Sequence, residues 1–252
     1  MMSVARAREL GIPESKWVYW QGGASSEEQA YWMSERPDFS VCPSLKDAAL
    51  SALHNSARGI DDIHHFDFYS CFPVAVEMAC DMLGIDIDDP RGFTVCGGLP
   101  YAGGPASAYT LHSMACMVDK LQNETSGKGL VTGNGWFLTK HAATVLSSEP
   151  HPSGEPVCGL MKDLPSSGMA TEAHMVNEQA TGEAIIETYT VNYARDGKPE
   201  RGIVLGRTAD GERFMANTIK DAGLLEQFVA TEQVGARGKV KFVDGMSIFT
   251  PH

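Results

Sequence analysis

The stretch HHFDFYSCFPVAVEMACDMLG, residues 64–84, sets the fold class. Phe66, Phe68 and Tyr69 make its first half a β-prone run. Pro73 then suits the first turn of a helix, Val74, Ala75, Met78, Ala79 and Met82 recur at helical spacing, and Gly84 supplies the stop. A strand that feeds a buried helix without a break is the unit of α/β layering. The pattern recurs downstream, where FTVCGG (93–98) reads as a strand entering a glycine-rich loop. There Pro105 opens a helix carrying Leu111, Met114, Ala115, Val118 and Leu121.

Upstream, Leu45, Ala49, Ala52, Leu53 and Ala57 predict a helix over 44–58 with Ser44 as its N-cap. Val4 to Leu10 reads as a short helix closed by Gly11, and WVYW (17–20) as a compact strand. GLVTGNGWFLTKHAATV (129–145) predicts a hairpin turning at Gly133-Asn134-Gly135, a composition that supplies positive φ.

Residues 147–182 are dense in Pro, Gly and Ser without either period and read as a linker. Beyond it Tyr189, Val191 and Tyr193 alternate with polar residues before turns at Asp196-Gly197 and Asp210-Gly211. A helix from Asp221 to Val229 and strands at 238–243 and 246–249 complete a small, mostly antiparallel barrel. The division is 1–146 for the α/β part, 147–182 for the linker and 183–252 for the barrel.

The chain has 252 residues with 20 Lys+Arg against 32 Asp+Glu, enough to bury a core without disulfides or metals. Residues 1–182 hold 11 basic and 22 acidic residues, whereas 183–252 hold 9 and 10. So acidic a body repels phosphate backbones, which argues against nucleic-acid binding. No apolar run approaches the ~20 residues of a bilayer span. Six cysteines without CxxC pairing, and a charged start at Arg6, Arg8 and Glu9, predict a cytoplasmic chain with free thiols and no metal.

Three segments in this order, YSCF (69–72), GGLPYAGGP (97–105) and GLVTGNG (129–135), resemble the C-terminal half of the thiolase superfamily. With the barrel included, nearly the whole chain resembles type-1 thiolase-like proteins, which are similar to acetyl-CoA acetyltransferases and add a small domain of oligonucleotide-binding type. The resemblance implies half of a layered αβα fold followed by that OB-like barrel, and a thiolase-like acyltransferase that handles acyl-CoA. It implies no cofactor besides the CoA thioester as substrate or ligand. Each family catalytic position is changed: Tyr69 stands for Asn or His, Gly104 for the His of Gly-His-Pro, and Val131 for the Cys of Cys-x-Gly. The nucleophile of the family belongs to an N-terminal half that this sequence does not contain.

An uncovered half-interface of about 1000 Å² would lose roughly 25 kcal/mol of burial. Net domain stability is only ~5–15 kcal/mol. The resemblance therefore implies a partner, either an N-terminal thiolase-half chain or a second copy. The alternative function is a non-catalytic thiolase-fold subunit or scaffold.

The candidate catalytic residues are Cys71, beside a helix N-terminus that favours a thiolate, Tyr69 as a phenolic donor, and His141 after the hairpin. Candidate substrate-binding residues are Gly97, Gly98, Gly103 and Gly104 in one loop and Gly133, Asn134 and Gly135 in the other. His64 and His65 beside Asp61 and Asp62 read as a solvated loop rather than a metal cluster. Arg201, Arg207, Arg213, Arg237, Lys239 and Lys241 read as a face for CoA phosphates or an acidic partner surface, or as a plain solvated face.

Overall fold

The computed structural model describes residues 1–159 and 172–252. They fall into two units, Met1–Met33 with Asp38–Thr171, and Ser34–Pro37 with Glu172–His252. In the first unit five strands form one sheet. These are β1 (Tyr19–Glu27), β2 (His65–Asp67), β3 (Lys128–Gly135), β4 (Lys140–Ser147) and β5 (Val157–Cys158), in the order β2-β3-β4-β1-β5. The β1/β4 and β3/β4 pairs are antiparallel, and β2/β3 and β1/β5 are parallel.

Alternation along the central strands creates the layers, because successive side chains point to opposite faces. Leu130 and Val145 pack with helices α2 (Pro43–Asn55) and α3 (Pro73–Leu83), around Leu45, Ala49, Leu53, Met78 and Ala79. Their neighbours Val131 and Leu146 pack on the other face with Met117 and Leu121 of helix α5 (Tyr109–Leu121). The result is an αβα sandwich. Helix α1 (Val4–Glu9) and the single-turn α4 (Leu99–Ala102) are peripheral.

Several local expectations change. The N-cap of α2 is Cys42, with Pro43 in the first turn and Ser44 already inside the helix. The strand read at 17–20 begins at Tyr19 and continues through Glu27. Within the stretch read as a linker, Val157–Cys158 pairs with Gly22 and Gly23. The remainder of that linker includes residues 160–171, outside the described residues.

FTVCGG is not a strand. The buried Asp67 Oδ2 accepts hydrogen bonds from Thr94 Oγ1 (2.9 Å), Val95 N (2.8 Å) and Cys96 N (3.2 Å), so these backbone donors serve a carboxylate instead of a ladder. Gly133-Asn134-Gly135 belongs to β3, and the hairpin turns instead through 136–139, with Trp136 (φ 56°) and Leu138 (φ 61°) in the left-handed region. A bulky residue is rarely held there, at a cost of about 1–2 kcal/mol.

The second unit is a closed five-stranded barrel of β6 (Gly182–Tyr193), β7 (Pro199–Thr208), β8 (Arg213–Thr218), β9 (Arg237–Val243) and β10 (Met246–Pro251), in the order β10-β8-β7-β6-β9. β9 pairs with β10 and closes it, and β8/β10 is the parallel pair. Helix α6 (Ala222–Ala230) lies between the third and fourth strands, as an OB-like barrel requires, and Asp221 caps it by accepting from Leu224 N. Phe228 of α6 joins Ile186, Val204, Phe214, Val240 and Phe249 in the core.

The basic residues read as phosphate-facing are partly committed within this unit. Glu187 accepts from both Arg207 and Arg213, and Lys239 pairs with Glu183 at 3.0 Å. Burial works against the Glu187 carboxylate, but hydrogen bonds from Arg213 and Arg207 outweigh it and hold its pKa below the usual 4.5. A group with a depressed folded pKa binds fewer protons folded than unfolded, so its stabilisation is present above the unfolded value and lost as pH falls. Acid titration of the barrel is therefore expected to lose stability from about pH 4.5 downward, and Glu187→Gln to flatten that limb of the profile. An unchanged acid limb in Glu187→Gln would refute the assignment.

Candidate functional site

The sandwich leaves a cleft of about 550 Å³ at the hairpin end of its sheet. Its wall is the end of three adjacent strands, with Ser25, Ser26 and Glu27 of β1, Gly133, Asn134 and Gly135 of β3, and Lys140, His141 and Ala142 of β4. Tyr69 and the segment before and inside α5, with Ala106, Ser107 and Thr110, complete it. The antiparallel register sets His141 opposite Asn134 on one side and Ser26 on the other.

The lining is mixed, with apolar surface at Ala106, Ala142 and the two glycines beside several hydroxyls and one amide. Lys140 Nζ is paired with Glu27 Oε1 at 2.7 Å, so the cation and the anion on this wall neutralise each other. Tyr69 follows the buried Phe68, and Thr132 Oγ1 accepts from its backbone N–H at 3.0 Å. Burial, and then the neighbouring Cys71, raise the Tyr69 pKa, so it stays a neutral hydroxyl donor. Its ring lies edge-on to Tyr109 at 5.2 Å.

Of the residues singled out from sequence, Tyr69, His141, Gly133, Asn134 and Gly135 line this cleft together. Cys71 stands one contact back, where Asn134 Nδ2 approaches its Sγ at 3.4 Å. Gly97, Gly98, Gly103 and Gly104 are not among the lining residues. Gly98 has a positive φ of 77°, and a Cβ there would meet Ser70 Oγ at 2.7 Å, so this position serves the turn over Ser70. His65 bonds Glu124 at 2.8 Å. Among the described residues no group of three or more His, Cys, Asp or Glu is placed to hold a metal ion. Among them, too, no helix is long and apolar enough to cross a membrane.

His141 presents its Nε2 away from the role read from sequence, to Cys42 Sγ at 3.1 Å. Cys42, Glu28 and Ser44 are therefore additions that sequence reading missed, as are Ser25, Ser26, Ser107 and Thr110. Cys42 and His141 lie 99 residues apart, and no local pattern links them. Asn134 was legible because its two flanking glycines mark a close backbone approach, and a Cβ on Gly133 would touch Thr110 Oγ1 at 3.0 Å.

No curated protein sequence matches the chain. Among solved structures it is similar to a monomeric SCP2-thiolase like protein type 1 from Mycobacterium smegmatis, with a TM-score of 0.86 and 36% identity over 99% of this chain and 54% of that one. The chain thus spans about half the length of that relative. A lower similarity, at TM-score 0.44 and 18% identity over 57% of this chain and 38% of the other, is to the peroxisomal 3-ketoacyl-CoA thiolase of Saccharomyces cerevisiae. Residues 163–245 match the family described as thiolase-like protein type 1 additional C-terminal domain. The chain is a thiolase-like protein that carries this additional domain after its αβα unit.

Proposed function

We propose that the first unit binds an acyl thioester of CoA in the cleft and does not perform ordinary thiolase turnover. The observation that carries this reading is the cleft itself, a slot of about 550 Å³ with a mixed polar and apolar lining at the strand ends that include GLVTGNG. That volume suits an extended pantetheine arm, and the Tyr69 hydroxyl and Asn134 amide are donors for its carbonyls. Claisen chemistry needs an acid/base at the reacting carbon. Val131, at the position of the family cysteine, is fully buried beneath α5, and Gly104 is outside the lining residues.

Calorimetric titration with CoA and acetyl-CoA tests the reading. Binding is expected for the intact chain. Tyr69→Phe combined with Asn134→Ala should weaken it about tenfold, the loss of roughly one or two hydrogen bonds. Absence of binding, or unchanged affinity in the double variant, overturns it.

A second reading, a thiolase-fold subunit without catalysis, is supported by apolar side chains left exposed near the glycine loop: Phe72 (65%), Tyr101 (86%) and Leu111 (65%). The occupant would be a chain carrying an N-terminal thiolase half, or a second copy. Native mass in solution distinguishes these from an unpartnered chain of 27.2 kDa.

A further inference from the structure

The segment after β2 and the helix α5 bring two cysteines together. The N–H of Cys96 is fixed to the Asp67 carboxylate at 3.2 Å, which places its side chain against α5. There Cys96 Sγ faces Tyr109 Oη at 3.2 Å and Ser113 Oγ at 4.0 Å. Tyr109, Ser113 and Cys116 recur at i, i+4 and i+7 and share one face of α5, so Cys116 is the next side chain along the surface that Cys96 touches. The two thiols are in hydrogen-bond contact. Both are half-buried, whereas Cys42 and Cys80 are buried. We propose that Cys96 and Cys116 are an oxidation site that takes a hydroperoxide as its oxidant and closes to an intramolecular disulfide.

The surroundings give the two sulfurs different parts. Tyr109 is fully buried, and burial, then its bond to Cys96 and the charge of Asp67, push its pKa well above the usual 10. Its hydroxyl therefore stays protonated and is a donor to a Cys96 thiolate. Burial, then the charges of Cys96 and Asp67, raise the Cys116 pKa, so Cys116 keeps its proton while Cys96 reacts. With hydrogen peroxide, Cys96 Sγ attacks one oxygen, the O–O bond breaks, and the departing hydroxide takes a proton and leaves as water. Cys96 is then a sulfenic acid. Cys116 Sγ attacks that sulfur, the S–O bond breaks, and the second hydroxide takes the Cys116 proton and leaves as water. Two thiols have lost two electrons and two protons, and one peroxide has been reduced to two waters.

The bond closes a loop around residues 97–115, which include Ala106, Ser107 and Thr110 of the cleft lining, so oxidation restrains one wall of the cleft. The sequence makes the product simple to read. Cleavage after Arg91 and Lys120 places both cysteines, and no other, on tryptic peptide 92–120. The intact chain is treated with hydrogen peroxide and then unfolded, its remaining thiols are blocked with N-ethylmaleimide, and the digest is read by mass spectrometry.

Peptide 92–120 is expected to escape the maleimide at both cysteines and to be lighter by two hydrogens than its dithiol form, and dithiothreitol should restore both thiols. The folded chain should form this bond about tenfold faster than chain unfolded before the peroxide step, because the fold holds the sulfurs together. Cys116→Ser should leave on Cys96 a sulfenic acid that dimedone traps, and Cys96→Ser should leave Cys116 reduced. Two maleimides on peptide 92–120 in the unsubstituted chain overturn the site whether or not either variant folds. A bond from Cys96 or Cys116 to any other cysteine, or an equal rate in the unfolded chain, overturns the pairing. None of these readouts depends on CoA binding.

Discussion

Asp67→Ala is expected to lower the unfolding free energy of the αβα unit by about 4 kcal/mol, because hydrogen bonds to a charged group contribute about 1.5–3 kcal/mol each and here three end on one oxygen. Asp67 is fully buried at the end of β2, and Thr94 Oγ1, Val95 N and Cys96 N all donate to its Oδ2. Truncation removes the acceptor and leaves its donors without their partner, so the segment that leads into the glycine loop loses its anchor. Asp67→Asn keeps an acceptor oxygen for the three donors but loses the charge and puts an amide NH2 in place of Oδ1, and charge-assisted bonds are about twice as strong as neutral ones. It should therefore cost about half as much as alanine. The four tryptophans, Trp17, Trp20, Trp32 and Trp136, all lie in the first unit, so denaturant unfolding followed by their fluorescence reads this effect directly. An alanine variant within about 1 kcal/mol of the parent, or an asparagine variant as damaging as alanine, would show that Asp67 does not hold the loop.

The second large effect is expected in the barrel. Gly238→Val should destabilise it by about 3 kcal/mol, the upper part of the usual range for overpacking a filled core. A Cβ on Gly238 would lie 2.5 Å from Phe249 Cζ and closer still to the carbonyl of Thr250, and backbone cannot move aside as a flexible side chain does. Gly206 plays the same part for Phe214, whose Cζ would be 2.8 Å from an added Cβ. Two glycines thus leave space for the two large rings, which stack at 6.4 Å across the core. Because no tryptophan lies in this unit, the loss should appear in the far-ultraviolet circular dichroism transition and leave the tryptophan transition in place. Gly223→Ala, in the first turn of α6, is the matched control: its Cβ meets nothing closer than Asp221 Oδ1 at 3.4 Å, and it should be neutral or slightly stabilising. Equal effects at the two positions would remove the packing explanation.

Where local chemistry decides, the sequence was informative. Pro73 and Gly84 bracket α3, whose C-cap glycine has φ 67°, because a missing N–H and a left-handed cap are properties of single residues. The barrel strands were legible from their period of two. What escaped reading depends on partners distant in the chain. β1 runs through Gly22, Gly23 and Ser25, poor strand formers on their own. They are held by the ladder to β4 and by the close approach of β5, where a Cβ on Gly22 would lie 2.8 Å from Val157 O. FTVCGG has β-prone residues but gives its donors to Asp67. The cleft was half visible: Tyr69 and the Gly133–Gly135 wall carry a motif, whereas Ser25–Glu27 and the Cys42–His141 contact exist only once β1, α2 and β4 are assembled.

The order of strands in the αβα sheet has a consequence for behaviour at high concentration. Among the described residues its two outermost members are the shortest, three residues in β2 and two in β5, while the eight- and nine-residue strands are enclosed between them. A foreign strand arriving at either border finds a template only a few rungs long, and short borders are one way in which sheets avoid joining edge to edge. The arrangement builds colloidal restraint into the topology: crowding of native molecules has little backbone on which to seed fibre growth.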